Sequence, residues 1–258
     1  MDDLLSFFPV LSELSIKAGA IIRRYYNSPV EVERKADNSP VTRADREVEI
    51  FLRDSLEKRY PDFSILGEEF GETKKSSAYR WIIDPIDGTR SFVLKTPLFG
   101  TMIALERDGT PVLGSIYFPI QDHHLIGSAE TGTFLNGSPC RVSEISELSE
   151  ATVLLTNPRT LIAGENHERL AKLCRKVRQV RGMGDCYGYH LVARGLAEVM
   201  IEPAALKYYD VAPMPPIIEG AGGTFTTLSG DFDLSSGQGL ATNRVLLEQV
   251  LRALNDEE

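Results

Sequence analysis

Between Ser64 and Leu135 the chain crowds six short apolar runs together: Ser64–Leu66, Trp81–Asp84, Gly100–Glu106, Val112–Phe118, His124–Ala129 and Thr133–Leu135. Each is strand-length, and Asp108-Gly109 and Asn136-Gly137 stand between or after such runs as strong turn signals. Consecutive strands at this spacing predict an antiparallel sheet. Two amphipathic helices precede it. Leu4, Phe7, Phe8, Leu11, Leu14, Ala18, Ile21 and Tyr25 recur at helical spacing, with Pro9 marking an early turn or the start. Thr42-x-x-Asp45 resembles a capping box, Val48, Phe51, Leu52 and Leu56 follow on one face, and Pro61 ends the helix.

After Ala151 the rhythm changes. Strands Thr152–Thr156, Glu198–Glu202 and Thr224–Thr227 alternate with helices Glu165–Val177, Asp185–Arg194 and Asn243–Leu254. This alternation predicts an α/β layer. The polar run Arg141–Glu150 is the boundary, dividing the chain into an antiparallel-sheet half, 1–145, and an α/β half, 146–258, packed closely together.

Composition narrows the function. At 258 residues, 42% hydrophobic and 25% charged, the chain can bury a sizeable core. Its net charge of -9 disfavours nucleic acid and anionic lipid. Arg175, Lys176, Arg178 and Arg181 form the one basic cluster, and a solvated helix end accounts for it. The longest uncharged stretch, Gly109–Gln121, holds two prolines and falls short of the roughly 20 apolar residues of a membrane span. The start Met1-Asp2-Asp3 lacks the features of a signal peptide. Three scattered cysteines without a C-x-x-C pair suit a reducing cytoplasm, the expected location, with Cys174 on an apolar helix face.

The chemistry gathers in acidic clusters. Asp84-Pro85-Ile86-Asp87-Gly88-Thr89 follows an apolar strand, where an unpaired carboxylate is costly to bury. Pro85 biases Asp84 to extended backbone, so Asp87 is expected to come around a turn and face it. Two carboxylates held close repel, and a divalent cation relieves that. Gly88, lacking a Cβ, would let an anion approach, and a helix starting near Thr89 would aim free N–H groups at it. An all-oxygen set suits Mg²⁺ or Mn²⁺. Gly67-Glu68-Glu69 and Asp210 are further acidic positions. Plainer readings stand beside these: a strand end with a turn, a solvated loop, and caps at Asp45 and Asp210. The histidines show no ligand spacing for zinc. No G-x-S-x-G elbow, Walker loop or dinucleotide fingerprint is present, and Gly220-x-Gly222-Gly223 reads as a helix C-cap and turn.

Taken together, D-P-I-D-G-T (84–89), G-E-E (67–69), V-T-x-A-D (41–45), Y-D-V-A (209–212) and E-G-A-G-G (219–223) closely resemble the inositol monophosphatase family, over nearly the whole chain. The resemblance implies an α+β and α/β layered α-β-α-β-α sandwich of the sugar-phosphatase type. It also implies a homodimer and a lithium-sensitive, Mg²⁺-dependent phosphomonoesterase. By the same resemblance Glu68, Asp84, Asp87, Asp210 and the Ile86 carbonyl would hold two or three Mg²⁺ ions, with Mn²⁺ a substitute. Thr89 would orient the attacking water with support from Asp45, and the amides of Gly88 and Thr89 would hold the phosphate.

Within the family, Asp185-Cys186-Tyr187-Gly188-Tyr189 and Leu206-Lys207-x-Tyr209-Asp210 resemble the histidinol-phosphatase branch, as do Pro216-x-Ile218-Glu219-Gly220 and Phe99-Gly100-Thr101 after Pro97. The implied substrate is L-histidinol phosphate. Asp185 and Glu202 would meet its cationic groups, and Tyr187 or Tyr189 would pack on its ring. For Asp185 the alternative is an N-cap, and for the tyrosines core packing. Inositol phosphates, other small sugar or nucleotide phosphates, and a non-catalytic interaction role are the competing functions. Tyr208 departs from the branch by replacing a proline, Glu202–Asp210 is one residue longer than usual, and Pro213 and Pro215 are additional.

Overall fold

The computed structural model describes residues 4–28, 32–34 and 40–255. A 3₁₀ turn, Leu4–Phe7, leads into helix α1 (Phe8–Tyr26), with Pro9 in its first turn, where a missing N–H costs nothing. A short antiparallel ribbon, β1 (Val32–Arg34) and β2 (Pro40–Thr42), then delivers the chain to α2 (Arg43–Arg59). The capping box is present there: the Asp45 carboxylate accepts from the Thr42 N–H at 2.8 Å, and the Thr42 hydroxyl accepts from the Ala44 N–H at 3.1 Å.

All six expected strands form between residues 64 and 135, joined by two short ones that sequence reading missed. They are β3 (Ser64–Gly67), β4 (Gly71–Thr73), β5 (Tyr79–Asp87), β6 (Gly100–Arg107), β7 (Thr110–Phe118), β8 (His123–Ser128), β9 (Gly132–Leu135) and β10 (Ser138–Cys140). They make one sheet in the order β10-β9-β8-β7-β6-β5-β3-β4. It is antiparallel except between β3 and β5, which run parallel because the β3–β4 hairpin sends β4 to the edge. The second sheet joins β11 (Thr152–Leu155), β12 (Gln179–Arg181), β13 (Val199–Glu202), β14 (Thr224–Thr226) and β15 (Gly239–Thr242) in the order β12-β11-β13-β15-β14. Its β11–β12 and β11–β13 pairs are parallel.

Strand periodicity converts these sheets into layers. Successive side chains point to opposite faces. Thus Ile103, Leu105 and Leu113 pack against α1 and α2, while Met102, Ile116 and Leu125 face the middle of the molecule. The middle layer holds α5 (Asp185–Ala193) and α7 (Met214–Gly220); α3 (Thr89–Val93) and α4 (His167–Lys176) precede α5, and α6 (Tyr208–Val211) lies between α5 and α7 in the chain. Leu154, Met200 and Ala241 of the second sheet close this middle core from the other side. Their neighbours Val153, Leu155, Val199, Ile201 and Leu240 point outward to α4 and α8 (Leu247–Asn255), where Cys174 is partly buried. The result is the expected α-β-α-β-α sandwich.

Three differences have identifiable causes. Strand β15 is built from Gly239-Leu240-Ala241-Thr242, whose small residues have weak strand preference, and burial between β13 and β14 decides it. The last helix begins at Leu247 rather than Asn243, because the Asn243 amide donates to the Ile145 carbonyl at 2.8 Å and its oxygen accepts from the Leu246 N–H at 3.1 Å. The first helical stretch, Leu4–Tyr26, is long and apolar enough to cross a membrane by length and composition, contrary to the uncharged-run count. Here its Leu11, Leu14, Ala18 and Ile22 are buried in the core, and Glu13 and Lys17 pair on its outer face. The extra prolines do not disturb α7: Pro213 is its N-cap and Pro215 lies in its first turn.

The layers meet closely where α7 crosses β7. A Cβ on Gly114 would lie 2.1 Å from the Pro213 carbonyl oxygen. Gly114→Ala is therefore expected to destabilise the fold by about 1–3 kcal/mol through overpacking. Guanidinium unfolding reads this directly, and an unchanged midpoint would contradict the packing described.

Candidate active site

The site begins with a fault in a strand. Asp84 pairs with Met102 and Asp87 with Gly100, so β5 carries one extra residue across this step. A β-bulge of this kind re-aims side chains. The expected turn between the two aspartates is thus a bulge inside the strand. The Pro85 carbonyl accepts from the Thr101 hydroxyl at 2.9 Å, the Ile86 N–H donates to Asp84 at 3.1 Å, and the Thr89 hydroxyl donates to the Ile86 carbonyl at 3.0 Å.

Helix α3 starts at Thr89, as expected, and Gly88, which lines the cavity over the cluster, also meets a backbone packing need. Its φ is +83°, and a Cβ there would sit 2.8 Å from the Leu98 carbonyl oxygen. The glycine permits a left-handed turn against neighbouring backbone.

Asp210 comes from the other end of the chain. It lies inside the short helix α6 rather than at its N-cap, and its carboxylate accepts from the Lys207 N–H at 2.7 Å. Carboxylate oxygens of Asp84, Asp87 and Asp210 lie within 4.8 Å of one another. Burial raises Asp84 and Asp87 well above the usual carboxylate range, and neighbouring acids add to it: Glu68 first for Asp84, Asp185 first for Asp87. Burial also lifts Asp210 to about 7. Mutually repelling, water-poor oxygens with no nitrogen or sulfur ligand among them fit a hard divalent cation.

Glu68 caps the end of β3, where its N–H donates to the Ile83 carbonyl at 3.2 Å, beside Asp84. Glu69 donates its N–H to Glu49 at 2.7 Å. The hydrogen bonds of Asp45 go to Thr42, not Thr89, and burial raises its carboxyl to about 7, with Glu69 and Glu68 contributing.

A cavity of about 380 Å³ opens over the cluster and is lined by Glu68, Asp87, Gly88, Thr89 and Asp210, with Asp185 and Glu202 among the residues of its walls. Asp185 is the first residue of α5, and Gly184 takes the N-cap position. Its φ of +52° is unusual for a side-chain-bearing residue and stores strain at the cavity wall. The Asp185 N–H donates to the Thr156 hydroxyl at 2.9 Å, which donates to Glu202 at 2.6 Å. Burial raises Glu202 to about 8 and Asp185 to about 6, Arg90 opposing the shift at Asp185. The rings of the two tyrosines pack in the core, Tyr187 edge-on to Phe118 and Tyr189 against Phe225, while the Tyr189 hydroxyl lies by Glu202.

Sequence reasoning missed Glu49, Thr156 and Arg90. A glutamate four residues after Asp45, on the buried side of α2, was a usable signal for the first. Nothing local marked Thr156, which matters only because β11 lies beside β13.

With fold and site in view, the comparisons are consistent. The model of the inositol monophosphatase family matches residues 3–258. A histidinol-phosphatase from Chlorobaculum parvum is 39% identical over 248 residues, covering 95% of each chain. An inositol monophosphatase 3 from Solanum lycopersicum is 34% identical over 260 residues, covering 97% of each. The crystal structure of extragenic suppressor protein suhB from Bartonella henselae superimposes with a TM-score of 0.90 at 29% identity, over 98% of this chain and 100% of that one. The fold and the acidic cluster define a sugar-phosphatase type of protein. The chain belongs to the inositol monophosphatase family.

The raised carboxyls have a measurable consequence. Glu202 and Asp210 hold protons in the folded chain that the unfolded chain releases near pH 4. The folded state therefore binds more protons across the window up to about 8, and stability falls as pH rises through it. His124 and His190, held down to about 4 and about 3 chiefly by burial, act in the opposite sense below pH 6.5. In EDTA, the melting temperature is expected to fall between about pH 6.5 and 8. Added Mg²⁺ should flatten that fall, because a cation favours the charged carboxylates. A melting temperature rising through this range without metal would contradict the protonated cluster.

Proposed function

We propose that this chain hydrolyses L-histidinol phosphate to L-histidinol and phosphate, using Mg²⁺. The phosphoric monoester hydrolase class follows from family membership and is firm. The observation that carries the finer reading is a pair of acidic groups at one cavity. The first is the Asp84–Asp87–Asp210 cluster, of which Asp87 and Asp210 line the cavity; the second is Asp185 and Glu202, which line it too. The first fits cations that neutralise a phosphate, and the second fits a substrate whose alcohol portion is itself cationic.

Asp84, Asp87, Asp210, Glu68 and the Ile86 carbonyl would hold the Mg²⁺ ions. When bound, these ions would offset phosphate charge and lower the pKa of water. Thr89 lines the cavity, and its hydroxyl proton is committed to the Ile86 carbonyl, which leaves its oxygen free to accept. It would accept a hydrogen bond from the attacking water and orient it. The amides of Gly88 and Thr89 would steady the phosphate. Asp185 and Glu202 would pair with the ammonium and imidazolium. A cation placed against Glu202 lowers its pKa and leaves it charged. The 39% identical relative named histidinol-phosphatase supports this reading. The 34% identical inositol monophosphatase from tomato supports a second one, an inositol phosphate substrate.

Turnover on L-histidinol phosphate, myo-inositol 1-phosphate and adenosine 3′,5′-bisphosphate separates them. The first is expected to have the highest kcat/KM, and preference for the inositol ester would reverse the assignment. Asp87→Asn should lower Mg²⁺-dependent turnover by at least about 10²-fold with the fold intact, the scale of losing one preorganised electrostatic group. Wild-type-like activity in that variant would remove Asp87 from the site.

A further inference from the structure

We infer that Glu49, with Arg53, is a positioning residue that sets where Glu68 stands relative to Asp84. This rests on the metal-binding reading of the acidic cluster. Glu49 is fully buried on α2, and a buried carboxylate is costly unless it is paired and hydrogen-bonded. Its bonds go to one place. One oxygen accepts from the Glu69 N–H at 2.7 Å; the other accepts from the Phe70 N–H at 3.1 Å and from Arg53 Nε at 2.8 Å. Arg53 reaches on to the Gly71 carbonyl and to the Thr73 hydroxyl at 3.3 Å. The pair therefore grips Glu69 and Phe70 of the turn leaving β3, and both ends of β4 beyond it.

Gly67 shows how close the grip is. A Cβ on Gly67 would lie 2.0 Å from Glu49 Oε1 and 2.4 Å from its Cδ, so the carboxylate occupies the space a side chain would need. On the opposite side the Glu68 N–H donates to the Ile83 carbonyl at 3.2 Å. Glu68 is thus fixed between β5, which carries Asp84, and α2, which carries Glu49. Glu49 does not line the cavity and acts only through the turn. All three groups facing its carboxylate are N–H donors, so an amide in its place would turn its own N–H₂ toward at least one of them.

The test is Mg²⁺ titration by calorimetry on wild type and Glu49→Gln, with melting temperatures in EDTA and steady-state kinetics at several Mg²⁺ concentrations. Glu49→Gln is expected to weaken Mg²⁺ binding at least about tenfold, the range found when a group orienting a metal ligand is lost. The kcat should recover at high Mg²⁺, and KM for the substrate at saturating Mg²⁺ should stay near wild type. A lowered melting temperature with Mg²⁺ affinity within twofold of wild type would make the role purely structural and overturn the inference. Should Glu49→Gln not fold, Arg53→Met removes the outer half of the grip. It should weaken Mg²⁺ several-fold with helical circular dichroism unchanged, and unaltered affinity would again overturn the inference. Wild-type protein that binds no Mg²⁺ at all would end the metal reading and this inference together. Wild-type binding that Glu49→Gln leaves intact would end this inference alone.

Discussion

Mutual repulsion among crowded carboxylates is the constraint around which the molecule is arranged. Asp84, buried, and Asp87 and Asp210, half-buried at the cavity, bring oxygens within 4.8 Å of one another, with Glu68 beside them. Nothing in their own chemistry favours that meeting without a cation. It is enforced by apolar burial on both faces of the first sheet, where Trp81, Ile83 and Ile103 are sealed under α1 and α2, and Met102 and Ile116 under α5 and α7. The hydrophobic layers hold together what electrostatics would separate, leaving a site that is a sink for protons or for hard cations.

Each acidic group reaches this point on a different device. A bulge in β5 delivers Asp84 and Asp87, the hairpin turn after β3 delivers Glu68, and a four-residue helix delivers Asp210 from the second half of the chain. The devices are tied to one another by polar bonds. Glu49 and Arg53 hold the β3 turn. Tyr208, the residue standing in place of the branch's proline, donates to the buried Glu106 at 2.6 Å, where Arg80 also bonds at 2.7 Å. That bond fastens the base of the Asp210 helix to β5 and β6, the strands that carry or border the other acidic residues of the cluster. A proline would restrict the backbone at this position; the tyrosine instead supplies a side-chain anchor.

Much of this was legible before the structure. Helical spacing in residues 4–25, the Thr42–Asp45 cap, and the strand runs between 64 and 135 are local properties, and local properties survive into the fold. The acidic motifs were equally visible, because carboxylates after an apolar strand conflict with burial and so demand an explanation. The illegible parts depend on neighbours distant in sequence. Strand β15 has small residues of weak preference and exists because β13 and β14 flank it. Glu49 looked like any helix glutamate until the β3 turn lay over it. For Tyr187 and Tyr189 a substrate platform and core packing were both open, and the rings of Phe118 and Phe225 decide for packing.

The amino-acid sequence by itself determined the first two long helices, the six strand runs between residues 64 and 135, and the acidic residue types that gather at the site, since periodicity, caps and turn chemistry act over a few residues. Tertiary structure alone decided that the step from Asp84 to Asp87 is a bulge rather than a turn, and that Gly88 yields to the Leu98 backbone. It also decided that Thr156 links Asp185 to Glu202 and that Glu49 underlies Glu68. Those outcomes turn on which backbone atoms lie within a few ångströms across layers, and close packing of remote segments settles such distances only when the whole sandwich has formed.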